Sequence, residues 1–70
     1  MNPEKLQRMA NDIARNLAAL GDDAPAAIAE HLRSFWTPRM RAELRALVEA
    51  GAEGLEPLVV AAIPSLRSAP

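Results

Sequence analysis

Apolar residues recur at three- and four-residue spacing along most of the chain, with polar residues between them. Leu6, Met9, Ala10, Ile13, Leu17 and Leu20 form one stripe on a predicted helix from about Pro3 to Leu20, and Glu4, Arg8, Asp12 and Arg15 fall on the opposite face. Asn2 is placed to cap this helix and Pro3 suits its first position. Glu4 and Arg8 stand in the favourable i,i+4 order. Gly21 should end the helix in a left-handed conformation.

Asp22 and Asp23 supply the next cap, and Pro25 is tolerated in the first turn of a second helix. Ile28, Leu32, Phe35 and Trp36 share one face of it, with His31 at the edge. It should stop near Trp36, because Thr37-Pro38 reads as a cap followed by a first-turn proline. A third helix from Pro38 to about Ala50 carries the stripe Met40, Leu44, Leu47 and Val48, with Arg41 flanking it and Arg45 and Glu49 on the far side. Gly51 and Gly54 bracket a short loop.

Leu55 to Ile63 reads as a short fourth helix with Pro57 in its first turn and Pro64 at its end. Val59-Val60 favours strand, but the two prolines leave little room and no second strand is present to pair with it. The fold class is therefore all-α, a small three- to four-helix domain over residues 1–64, with residues 65–70 a frayed tail. Its expected core is Leu6, Met9, Ile13, Leu17, Ile28, Leu32, Phe35, Leu44, Leu47 and Val48.

Composition narrows this picture. Seventy residues make one small domain, and such a core rarely supplies more than roughly 3–5 kcal/mol. Half of the residues are hydrophobic, but 15 of those are alanines, which allow close helix approach and bury little area each. There is no cysteine, so disulfides and thiolate metal sites are excluded. A net charge of −1 sets up no global field for nucleic acid or an anionic membrane. Seven of the eight basic residues are arginine, the cation better suited to interface ion pairs. The N-terminal residues lead into an amphipathic pattern rather than a signal peptide. The longest apolar run, Leu58 to Ile63, is far too short to cross a bilayer. A cytoplasmic protein is expected.

Candidate chemistry is sparse. One histidine and no cysteine build no typical zinc or iron–sulfur site. Ser34, Ser65 and Ser68 have no histidine–carboxylate arrangement suggested by their spacing. The three glycines sit at helix ends rather than in a phosphate loop. No catalytic, cofactor-binding or metal-binding residue is assigned. The run Leu58 to Ile63 is apolar all round, so in so small a chain it points to an external cover. Leu58 and Val59 become candidate partner-binding residues. The surface around Leu55, Leu58, Val59 and Ile63 is expected to drive weak self-association when the domain is isolated.

The other candidate surface is the junction of the second and third helices. It holds the only two aromatics, Phe35 and Trp36. Phe35 belongs to the core stripe. Trp36, at the helix end, is expected to stay partly exposed, with Arg41 stacked on it and Arg39 beside it, which makes Trp36, Arg39 and Arg41 an interface anchor. The same junction admits a helix-turn-helix reading, with Arg39, Arg41 and Arg45 on a recognition helix. Glu43 and Glu49 interrupt that basic patch and lysine occurs only once.

The segment His31-Leu-Arg-Ser-Phe-Trp-Thr-Pro-Arg-Met-Arg41 resembles the delta subunit of bacterial NAD-dependent, molybdenum-containing formate dehydrogenases. Arg8-Met-Ala-Asn-Asp-Ile13 is similar to that family's N-terminal helix, and Gly51-Ala-Glu-Gly-Leu-Glu-Pro-Leu-Val59 to its C-terminal part. Thr37 stands where the family often has aspartate, and either residue caps a helix. Ser34 replaces an expected basic residue. The resemblance implies a small non-catalytic accessory subunit that stabilises or helps assemble a complex oxidising formate to carbon dioxide and reducing NAD. In that family the partner subunits carry bis-molybdopterin guanine dinucleotide, iron–sulfur clusters and FMN, and this chain would carry none. The implied partner is the large molybdenum-containing subunit, without nucleic acid or membrane.

Overall fold

The computed structural model describes residues 2–51 and 53–67, the side chain of Arg67 excepted. Among the described residues four α-helices follow one another: α1 Pro3–Leu17, α2 Ala24–Phe35, α3 Pro38–Glu49 and α4 Pro57–Arg67, with a 3-10 segment Ala18–Asp23 between α1 and α2. No strand occurs among the described residues. The all-α expectation holds.

The caps of α1 and α3 are those their sequences announce. Asn2 Oδ1 accepts the Glu4 N–H at 2.8 Å, and Thr37 Oγ1 accepts the Met40 N–H at 3.1 Å. Each satisfies a donor with no partner inside the helix. Gly51 closes α3 with φ +75° and donates its N–H to the Val48 carbonyl at 3.0 Å.

The first connection differs from expectation. Helix α1 ends at Leu17, and the chain tightens to three residues per turn, which rotates Leu20 off the stripe. Leu20 is 50% exposed. Gly21 has the expected positive φ, but at φ 62°, ψ −126° it turns the chain rather than capping a helix. Asp23 sits at the N-cap of α2 with near-helical dihedrals and no capping side-chain bond. The Ala24 N–H bonds instead to the Gly21 carbonyl.

Helix α4 also departs from expectation. Pro64 lies inside it, and the helix runs on to Arg67. Val60, whose carbonyl loses its usual donor, and Pro64 are both exposed, so water can solvate that carbonyl. Residues 65–67 are therefore not a tail. Leu66 is buried, and the Ser65 carbonyl accepts from Arg33 Nη1 at 3.1 Å. The expected fraying of residues 68–70 lies outside the described residues.

The core centres on Leu6, Ile28, Leu32, Leu44 and Val59, each fully buried. Met9, Ile13, Leu17, Leu47 and Val48 pack half-buried against it. Phe35 is the expected core residue that lies outside. Helix α4 buries Val59, Ala62, Ile63 and Leu66 and makes its most extensive contact with α2. The expectation that this apolar helix needs an external cover is overturned. Ala10, Ala14, Ala24, Ala29 and Ala62 are all buried. Their short side chains reduce the distance between helix axes, and this leaves room for α4 within so small a chain.

Candidate functional site

Helix α2 ends where Phe35 and Trp36 meet, and the two aromatics exchange their expected roles. Phe35 is the last helical residue, at the edge of the apolar stripe, and its side chain is directed outward. It is 74% exposed, stacked on His31 with ring centroids 4.7 Å apart and planes tilted by 37°. Trp36 leaves the helix in an extended conformation, φ −99°, ψ 147°. That turns the chain after Trp36 toward α3, while its N–H still bonds the Leu32 carbonyl at 3.0 Å, and the indole packs in the core, only 6% exposed. Trp36 is thus a core residue rather than an exposed anchor.

Arg41 does not need the indole face as its partner. Its Nη1 donates to the carbonyls of Trp36 at 2.9 Å, Arg33 at 3.2 Å and Leu32 at 3.4 Å. The Leu32 carbonyl also accepts the Trp36 N–H, and all three acceptors lie at the C-terminal end of α2, where the helix dipole favours a cation. Arg41 ties the start of α3 to the end of α2. Arg39 points to solvent with its side chain 88% exposed, and its Nε lies 3.5 Å from Glu43. Arg45 is half-buried. The three arginines of the recognition-helix reading therefore do not share one free face.

The second candidate surface closes up. Val59 is fully buried and Ile63 nearly so, while Leu55 and Leu58 are half-buried against the core. On α4 it is Val60, 45% exposed, that faces outward. The apolar patch expected to drive self-association is thus largely internal.

Sequence reasoning missed two features. One is the exposure of Phe35, whose spacing places it on the stripe with Ile28 and Leu32 and gives no signal of it. The other is Asn11, a buried polar residue at 9% exposure on the inner side of α1. Its Nδ2 donates to the Gly54 carbonyl at 2.7 Å and its Oδ1 accepts the Glu56 N–H at 2.8 Å. One side-chain amide thus pins the α3–α4 loop to α1. Arg15 adds a second link, its Nη2 lying 3.3 Å from Glu56. A buried asparagine in an alanine-rich stripe was the available clue.

Among the described residues no three His, Cys, Asp or Glu side chains gather to hold a metal. None of the described helices is long and apolar enough to cross a membrane. The polar side chains with the longest reach in sequence, Asn11, Arg15 and Arg33, bind other parts of the same fold.

The chain matches the model of the NADH-dependent formate dehydrogenase delta subunit FdsD over residues 5–63. The chain belongs to this family. The match takes in Asn11 and Gly54, the α2–α3 corner and most of α4, and all three segments of resemblance lie inside it. For this delta-subunit fold, the matched span therefore includes the Asn11 staple and the Arg41 cap as well as the exposed ring. No curated protein and no solved structure matches the chain.

Proposed function

We propose that this formate dehydrogenase delta subunit is a non-catalytic accessory subunit, one that stabilises or helps assemble the NAD-dependent complex in which partner subunits oxidise formate. The observation that carries the reading is the family match across residues 5–63. Two features of the chain support it. With no cysteine, it offers no thiolate for an iron–sulfur cluster. Its buried polar groups are used in holding helices and loops together. The molybdenum cofactor, iron–sulfur clusters and FMN are assigned to the partner subunits. Docking to the large molybdenum-containing subunit is assigned to the α2–α3 corner. There Arg39 makes contact, and Trp36 and Arg41 hold the corner's shape from inside. Leu58 and Val59 on α4 contribute to the fold beneath rather than to the contact.

The test is deletion of the chain in its native host, followed by purification of the remaining complex. The expected result is a lower yield of assembled complex or lower cofactor loading, restored by supplying the chain in trans. The isolated chain should show no formate oxidation. Turnover by the chain alone, or an unchanged complex in its absence, overturns the proposal.

A further inference from the structure

From the exposed Phe35 we infer that the delta subunit docks by inserting this ring into an apolar pocket rimmed by carboxylates on a partner subunit. This deepens the accessory-subunit reading and rests on it. Three observations define the occupant. Phe35 is 74% exposed on the outer edge of α2, a position where a polar residue would serve folding equally well. Its ring packs at 4.7 Å against His31 one turn earlier on the same helix. An aromatic with only two rotatable bonds loses little freedom on binding, and such side chains are typical interface anchors.

The third observation is charge. Residues 31–42 hold Arg33, Arg39 and Arg41 and no carboxylate, whereas the other 58 residues carry five bases and nine acids. Glu30 and Glu43 border this run and pair with Arg33 and Arg39, so the corner is mildly basic on a chain that is otherwise acidic. Arg39, four residues beyond Phe35 in sequence and in the first turn of α3, has its side chain 88% exposed, and its link to Glu43 at 3.5 Å is that of a weak surface pair. It can exchange Glu43 for a partner carboxylate at small cost. Arg33 is held against Ser65 and Glu30 at the base of the same corner. An exposed aromatic with an exposed guanidinium four residues on is complementary to an apolar pocket with an acidic rim.

The experiment titrates the full-length chain against the formate dehydrogenase complex purified without it, at several salt concentrations. Phe35→Ala should weaken binding about thirtyfold or more while leaving the helical circular dichroism and melting midpoint of the chain unchanged. Arg39→Gln should weaken binding less and flatten its salt dependence. If the wild-type chain binds and folded Phe35→Ala binds equally well, this inference is overturned and the accessory-subunit reading stands. If the wild-type chain does not bind the complex at all, both fall. If Phe35→Ala instead abolishes self-association in sedimentation and leaves binding to the complex intact, the ring serves a second copy of the chain and the inference is again overturned.

Discussion

At the scale of single residues, adjacent side chains have opposite duties. Trp36 is packed among helices, and truncating it removes the largest side chain of the core. Trp36→Ala is expected to cost about 3–5 kcal/mol, comparable to the whole stability of roughly 3–5 kcal/mol that a core of this size supplies. The variant should therefore be largely unfolded at 25 °C by circular dichroism. Phe35→Ala, one position away, should change stability by less than about 0.5 kcal/mol. A tryptophan variant that melts like the wild type would show that the indole is not in the core. Asn11 is the other residue whose role is out of proportion to its size. Asn11→Ala leaves the Gly54 carbonyl and the Glu56 N–H without their partner, which should cost about 1–3 kcal/mol. Hydrogen exchange at the Glu56 amide should accelerate, and no change there would separate Asn11 from the loop.

At the scale of elements, the helix ends do much of the joining. Thr37 caps the start of α3 from its own sequence, but the end of α2 is capped by Arg41, which lies on the next helix. The Trp36–Thr37 connection is two residues long, and Arg41 Nη1 braces it by bonding the carbonyls at the end of α2. Arg41→Ala should lower stability by about 1–2 kcal/mol, the range for hydrogen bonds from a charged donor at a half-exposed site. Arg41→Lys should recover only part of it, because an ammonium is more strongly hydrated and sits on a more flexible stem. The two variants are compared by their midpoints in urea. Equal midpoints for wild type and Arg41→Ala would mean that the short connection alone holds the corner.

At the scale of the whole molecule, four short helices close around one centre. The radius of gyration is 10.8 Å, close to the value of about 11 Å for a compact domain of this length. Helix α4 is the last to enter that centre, and its final turn is structural. Truncation after Ile63 removes Leu66, only 9% exposed, and the Ser65 carbonyl that receives Arg33. The burial of one leucine contributes about 1.5–3 kcal/mol, a large share of so small a total. The shortened chain should therefore show an earlier and broader thermal transition. An unchanged melt would return residues 65–67 to the status of a tail.

The sequence by itself determined the four helices, the caps at Asn2 and Thr37 and the positive φ of Gly21, because spacing, capping and backbone freedom act within a few residues. Family membership was legible too, since the Phe-Trp-Thr-Pro-Arg-Met-Arg run lies in a matched span that reaches from residue 5 to 63. Only the tertiary structure decided which of Phe35 and Trp36 is inside. Both suit the stripe, and the choice rests on which side of α2 the other helices cover. It also decided that α4 is internal: an apolar run calls for cover, but the helices that supply it lie far away along the chain. The partners of Asn11 and Pro64's place within a helix were settled the same way, by neighbours that satisfy or solvate a polar group from a distance in sequence that no local pattern records.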